Sequence, residues 1–245
     1  PLIFDELMSV QMKSILVTGA TRGVGEALTL NFAKKGHVVY ALARTRNQLN
    51  SLAEECGSDK VIPFEVDVSK KEQVEEAIAA IQRDYGVPDV LINNAGVVEN
   101  ISFAEQSIEM IERIVDVNLK GALYVTRCVV PGMIARGSGR IINVSSVAGT
   151  RGIPGQATYC ASKFGMNGFA ETLAQELLAK GILVTTICPG GIDTPLWDPD
   201  KNPYPGDKAR IMKPQEIVDL IEYLLDQPKG TLHKKIVMFP TNEWH

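Results

Sequence analysis

Seven short apolar runs rich in β-branched residues, at 14–17, 37–42, 61–65, 90–93, 140–145, 183–188 and 235–239, alternate along this chain with longer stretches of helical period. Apolar runs of that length suit strands buried on both faces, and a helical stretch between successive runs supplies the crossover that a parallel pair requires. The predicted fold is therefore α/β: a Rossmann-type, doubly wound parallel sheet of about seven strands with helices on both faces. Helical patterns stand at 24–35, 70–85, 108–135, 159–180 and 214–225, and Gly36 and Gly181 fall where C-terminal helix glycines belong. No internal repeat and no linker rich in Ser, Gly or Pro divides the chain. One domain is expected over residues 1–245, with residues 1–12 as an N-terminal extension. The segment from Pro189 to Lys213 breaks the rhythm, with five prolines, Trp197, Tyr204 and no period, so residues 190–213 are expected to form a lid.

Composition narrows the function classes. With 45% hydrophobic and 22% charged residues the chain is that of an ordinary globular protein, and a net charge of −4 argues against nucleic acid as the main partner. Cys56, Cys128, Cys160 and Cys188 form no C-x-x-C pair and the three histidines share no ligand spacing, so no disulfide framework and no metal site are expected. Reduced thiols and a cytoplasmic location follow as expectations. The first fourteen residues carry Asp5 and Glu6 and lack the pattern of a secretory signal, and no apolar run reaches the ~18–20 residues of a membrane span.

The first strand runs directly into Thr18-Gly19-Ala20-Thr21-Arg22-Gly23-Val24-Gly25 and then into a helix. Glycines at such a turn let the backbone approach a pyrophosphate, whose charge is stabilised by the N–H groups of the helix N-terminus. In NAD-binding units an acidic residue about 20 positions past the glycines accepts hydrogen bonds from the ribose 2′-hydroxyl. Between Glu26 and Glu54 there is no Asp or Glu. Arg44 at the end of the second strand and Arg22 in the glycine loop, with Arg46 as a weaker candidate, suit a 2′-phosphate instead, because guanidinium forks bind phosphate oxygens bidentately. The expected cofactor is NADP. The alternative, that Arg44 and Arg46 only decorate a solvated turn, leaves the missing acid unexplained.

Tyr159 and Lys163 are four positions apart, hence neighbours on one helix face. A phenol titrating near ~10 is a poor acid or base at neutral pH, and lowering it by ~2–3 units takes about 3–4 kcal/mol of differential stabilisation. A close lysine together with an oxidised nicotinamide is the expected source. Ser146 lies thirteen residues before Tyr159, closing the strand that ends Asn143-Val144-Ser145-Ser146, where α/β sheets place their ligands.

With Thr18 the loop reads TGxxxGxG. Followed in order by Asn93-Asn94-Ala95-Gly96, Asn118, Ser146, Tyr159, Lys163 and Pro189-Gly190, the chain resembles the short-chain dehydrogenase/reductase family over roughly residues 13–239. The resemblance implies hydride transfer between a nicotinamide and a carbonyl or secondary alcohol. In it Tyr159 is the acid/base, Ser146 hydrogen-bonds the substrate oxygen, Lys163 depresses the tyrosine and holds the nicotinamide ribose, and Asn118 orders a water in a proton relay. Ser145 sits one position away from a match. The resemblance further assigns Asp67, with Val68 beside it, to the adenine ring, Asn94, Ala95 and Gly96 to the wall beside the adenine ribose, and Pro189, Gly190, Ile192 and Thr194 to the nicotinamide end. Asp67 could instead cap the next helix, although Ser69 is the better cap for a helix from Lys70.

Over its catalytic half the chain resembles 3-oxoacyl-acyl-carrier-protein reductases, and Arg136 and Lys180 lie near places where those enzymes carry basic residues for an acidic carrier. The tail, Ile236-Val237-Met238-Phe239-Pro240-Thr241-Asn242, looks more like NADP-dependent reductases of small hydroxy acids, diketones and other carbonyls. Substrate choice is expected in residues 97–101, 149–156 and 196–210, where Trp197 and Tyr204 either cover a substrate or pack the lid on its own domain. The helical stretches 108–135 and 159–180 match those through which family members form dimers and tetramers, implying a homodimer or homotetramer. A non-catalytic NADP-sensing protein is the alternative from another class; such proteins commonly lose the Tyr or Lys, and both are present here.

Overall fold

The computed structural model describes residues 12–241 apart from Pro199, Lys201, Pro205 and Lys229. Its strands are β1 (Ser14–Thr18), β2 (Val38–Ala43), β3 (Val61–Glu65), β4 (Val90–Asn93), β5 (Gly139–Val144), β6 (Ile182–Pro189) and β7 (Lys235–Met238). All pair in parallel, in the order β3-β2-β1-β4-β5-β6-β7. Strand order therefore reverses between β1 and β4, and the crevice beyond the carboxyl ends of such a pair is where open α/β sheets bind ligands.

Between the strands run α1 (Gly23–Lys34), α2 (Arg46–Cys56), α3 (Lys71–Asp84), α4 (Ile108–Val115), α5 (Gly121–Arg136), α6 (Ala157–Leu178) and α7 (Pro214–Asp226). Successive strand residues point to opposite faces, so one apolar run feeds two cores. Ile15 and Val17 of β1, with Val39 and Ala41 of β2, pack beneath Leu28 and Phe32 of α1, Leu49 of α2 and Ile217 and Ile221 of α7. Leu16, Tyr40 and Leu42 face the other way, toward Ile78 of α3, Val125 and Met133 of α5 and Leu173 of α6. Each such side chain contributes about 1.5–3 kcal/mol on burial. This explains why the strands read as unbroken apolar runs.

Several elements differ from the sequence reading. Helix α2 is not among the expected helical stretches: its buried residues, Leu49, Leu52 and Ala53, keep helical spacing but span little more than one turn. The expected helix at 108–135 is divided by a π turn at Asp116–Lys120, whose wider winding carries Val117 and Asn118 into the interior. Ser69 is not the cap of α3: that position is Lys70, with no side-chain cap bond. Ser69 instead donates its N–H and hydroxyl to Asp67 Oδ1, at 3.0 and 2.7 Å. Gly36 and Gly181 do close helices in the left-handed region, at φ +88° and +74°. The expected irregular stretch after β6 is tied at its base, where Asp193 N–H donates to Met212 O (2.8 Å) and Met212 N–H to Gly191 O (3.0 Å). Among the described residues no helix is long and apolar enough to cross a membrane, and no three His, Cys, Asp or Glu side chains form a metal-binding group.

Candidate active site

A cleft of about 720 Å³ opens beyond the carboxyl ends of the strands, from Arg44 at one end to Trp197 and Tyr204 at the other. At its floor the turn from β1 into α1 needs two left-handed residues, Gly19 (φ +66°) and Gly23 (φ +57°). Gly25 lies beneath the wall, where a Cβ would fall 2.0 Å from Gly19 O. The turn is thus folded so tightly on the helix that only hydrogen fits there. Its role is to shape the loop, while Gly19, Thr21, Arg22, Gly23 and Val24 present themselves to the cleft. Arg22 occupies the N-cap of α1 without a side-chain cap bond, leaving first-turn amides for an anion to satisfy.

Arg22 and Arg44 share this end of the cleft. Burial and the neighbouring Arg44 charge both pull the Arg22 pKa down. Neither makes an ion pair among the described residues. Two repelling guanidinium groups beside uncapped helix amides fit a phosphorylated ribose, whose charge would relieve the repulsion. Arg46 turns away: its Nε pairs with Glu65 at 2.7 Å, and it does not line the cleft. Asp67, Val68, Asn94, Ala95, Gly96, Pro189, Gly190, Ile192 and Thr194 all line the cleft.

Midway along it, Ser146, Tyr159 and Lys163 converge. Ser146 leaves β5 as the cap of a short 3-10 turn, its Oγ accepting Ala148 N–H at 3.1 Å. Tyr159 and Lys163 are 9% and 3% exposed, with Nζ 5.6 Å from the phenol ring centroid and donating to Val144 O at 3.0 Å. Burial pushes the Tyr159 pKa up to about 12, against an opposing hydrogen bond from Ser146. Burial likewise lowers Lys163 to about 8, with the nearby Cys188 acting the other way. The sequence expectation places the lowering of the phenol on Lys163 together with an oxidised nicotinamide; the protein by itself raises it. Removing water from both groups favours both neutral forms.

A stability consequence follows. In the folded chain Lys163 binds its proton more weakly than at its ordinary 10.5. The penalty is fully present below about pH 8 and is relieved as pH rises toward 10.5. The bare protein is expected to gain on the order of 2 kcal/mol from this group between about pH 8 and 10, read by urea unfolding across that window. Above about pH 10 Tyr159 reverses the sign, because the unfolded chain ionises first. Equal slopes in wild type and Lys163→Met would contradict this origin.

Asn118 is fully buried and does not line the cleft. Its Oδ1 accepts Val97 N–H at 2.8 Å, and its Nδ2 donates to Val97 O at 2.9 Å and Ser162 Oγ at 3.1 Å. It lies near Lys163 across Gly96, where a Cβ would stand 3.6 Å from Asn118 Oδ1 and 3.7 Å from Lys163 Nζ. The amide fixes the loop after β4.

Trp197 and Tyr204 meet edge-on, 5.0 Å between centroids, and both line the cleft, so they pack on each other and face the substrate end. Sequence reading missed Asn202, which holds them there. Its Oδ1 accepts Asn100 N–H at 3.0 Å, while Nδ2 donates to Leu196 O at 3.0 Å and Val98 O at 3.3 Å. An Asn among prolines carries no signal beyond that of a turn residue. Asn202→Ala leaves those groups unpaired, a loss of about 1–3 kcal/mol. Limited proteolysis within residues 196–210 is expected to speed up about tenfold or more with the main melting transition little moved. Unchanged cleavage would show that this clasp does not hold the segment.

Arg136 serves the opposite, amino-terminal end of the strands. It donates to Val87 O (2.7 Å) and Pro88 O (2.9 Å) and pairs with Asp89 (3.1 Å), at the start of β4. Lys180 stands at the same end of the strands, between α6 and β6.

The short chain dehydrogenase family matches residues 13–204. Over 238 residues the chain is 38% identical to the 3-oxoacyl-[acyl-carrier-protein] reductase of Thermotoga maritima, covering 94% of this chain and 97% of that one. Among solved structures, serine dehydrogenase from Escherichia coli superposes with a TM-score of 0.85 at 30% identity, covering 95% of this chain and 100% of that one. An alcohol dehydrogenase from the archaeon Thermococcus sibiricus, complexed with 5-hydroxy-NADP, gives 0.86 at 26% identity, covering 96% and 99%. With a seven-stranded parallel sheet, the glycine turn and this extent of likeness, the chain belongs to the short-chain dehydrogenase/reductase family.

Proposed function

We propose that the protein is an NADP(H)-dependent oxidoreductase interconverting a carbonyl and a secondary alcohol, with Tyr159 as the acid and base. The observation that carries this reading is a single cleft with Arg22 and Arg44 at one end and Ser146, Tyr159 and Lys163 in its middle. When bound, the nicotinamide supplies or accepts the hydride. The side chains do the rest. Tyr159, kept protonated by its burial, donates its proton to the carbonyl oxygen in reduction and recovers it in oxidation. Ser146 donates a hydrogen bond to the same oxygen, where negative charge develops. Lys163, still largely charged at pH 7, favours the phenolate left behind. Asn118 keeps the loop beside Lys163 in place and, as the family resemblance implies, orders a relay water.

The test is a titration with NADPH and NADH, followed by the nicotinamide absorbance in the presence of ketones, 3-oxoesters and hydroxy acids. NADPH oxidation by a carbonyl, lost in Tyr159→Phe, supports the reading. Tight NADPH binding with no turnover by any of them would favour the NADP-sensing alternative. Reduction of a carrier-linked 3-oxoacyl group is the second enzymatic reading, favoured by the Thermotoga relative. Against it stands the engagement of Arg136 in backbone and Asp89 contacts. We place the enzyme in the cytoplasm as a homodimer or homotetramer. Phe103 before α4, Ile108 at its start and Phe164 on α6 are 61%, 66% and 48% exposed, an apolar surface that a second copy would cover.

A further inference from the structure

Helix α6 opens on an amide that the proton transfer leaves without a task. Gln156, three residues before Tyr159, is 3% exposed and lines the cleft together with Ile153, Trp197 and Tyr204. It occupies the N-cap of α6, yet its side chain makes no cap bond. Its Nε2 donates instead to Asn100 Oδ1 at 2.6 Å. The direction of this bond is set by the next partner along. Pro203 O can only accept, so the Asn100 atom 3.2 Å from it is Nδ2, and Asn100 turns Oδ1 toward Gln156. Gln156 must meet that acceptor with its NH2 group, which leaves Oε1 as the remaining end of the amide. No group among the described residues donates to Oε1, and the atom is not sealed from solvent. An acceptor on a side chain this buried is costly to leave unmatched, and the cleft is where its match must come from.

Resting on the oxidoreductase reading above, we propose that Gln156 is a specificity residue whose Oε1 accepts a hydrogen bond from a second hydroxyl on the substrate, while the carbonyl or alcohol under reaction meets Ser146 and Tyr159. The substrate class is then a neutral hydroxyketone or diol. The amide oxygen carries no full charge, so an ammonium brought against it would shed its water without a countercharge. A spacing of three residues at the start of a helix holds two side chains about 5–6 Å apart at Cβ, which suits a hydroxyl one or two carbons from the reacting carbon. Through Asn100, whose N–H donates to Asn202 Oδ1 at 3.0 Å, the amide is braced by the segment that carries Trp197 and Tyr204.

The experiment compares kcat/KM with NADPH for two pairs of ketones that differ by hydroxyl against methyl: hydroxyacetone with butanone, and 4-hydroxy-2-butanone with 2-pentanone. Wild type, Gln156→Met and Gln156→Glu are compared, with NADPH affinity measured in each as a check on folding. Wild type is expected to prefer the hydroxyketone of at least one pair by about tenfold or more. In Gln156→Met, which keeps the length of the side chain and loses the acceptor, that ratio is expected to fall to near one, chiefly through KM. Gln156→Glu keeps an acceptor oxygen and should retain most of the preference. A wild-type ratio near one or below in both pairs overturns this inference and leaves the oxidoreductase reading standing. So does a ratio unchanged in Gln156→Met, or one lost alike in Gln156→Met and Gln156→Glu, which would trace the preference to the Asn100 contact instead of the free oxygen. No turnover of any ketone despite NADPH binding overturns both readings.

Discussion

Tyr159→Phe is expected to lower kcat by about 10²–10⁴-fold with every accepted substrate, the usual contribution of a positioned proton donor. The phenol is 9% exposed, so no solvent acid can easily stand in for it. The substitution removes one oxygen and keeps the ring that packs beside Cys160 and Ala148, so fold and NADPH affinity should persist. Loss of kcat with preserved cofactor binding separates a chemical role from a structural one. Because the protein alone holds this hydroxyl near 12, it is protonated at neutral pH, the form from which reduction starts. Oxidation needs the phenolate and is expected to rise with pH. Turnover near the wild-type level in Tyr159→Phe would sink the mechanism.

The second large effect concerns cofactor choice. Each guanidinium facing a phosphate contributes about 1.5–3 kcal/mol through charge-assisted hydrogen bonds, so losing both corresponds to a weakening of about 10²-fold or more. Removing Arg22 and Arg44 together, as Arg22→Ala with Arg44→Ala, should therefore weaken NADPH binding by at least that factor while NADH changes little, since NADH has no 2′-phosphate. Arg44→Asp should go further and favour NADH, because a carboxylate there accepts from the free 2′-hydroxyl and repels the phosphate. Fluorescence titrations at one fixed ionic strength would measure it, as exposed charges are screened by salt. A ratio of NADPH to NADH affinity that does not move would return both arginines to the solvated-turn reading. Arg46→Ala should have little effect on this ratio, since its guanidinium is held by Glu65.

Much of this architecture is legible one residue at a time, because it depends on local backbone geometry or fixed spacing. Strands buried on both faces leave unbroken apolar runs, and the turn from β1 needs glycine at Gly19, Gly23 and Gly25 wherever the rest of the chain lies. Tyr159 and Lys163 share a helix face by their four-residue separation alone. The absence of an acid after β2 is likewise a property of the string of residues, and it points to the phosphate whatever the fold around Arg44. Helix α2 escaped because three buried residues make too faint a period.

What the tertiary structure alone decided is which partner each ambiguous side chain meets. Arg46 stays a candidate, though the weaker one, beside Arg44 in sequence, yet Glu65, nineteen positions on, takes it and leaves Arg44 facing the cleft. Ser69 looks like a helix cap until Asp67 claims its hydroxyl, and Arg136 like a docking residue until the carbonyls before β4 engage it. Asn202 reaches Val98 and Asn100 across more than a hundred residues of chain. The resting protonation of Tyr159 and Lys163 belongs to the same class, because segments remote in sequence exclude the water that would stabilise their charges. The sequence by itself determined the run of strands along the chain, the glycine turn and the placing of Tyr159 and Lys163 on one helix face, since those follow from backbone conformation and short-range spacing. Partner choice, burial and pKa were decided only by folding, because charge energies depend on distance and dielectric through space, which residue separation along a chain does not encode.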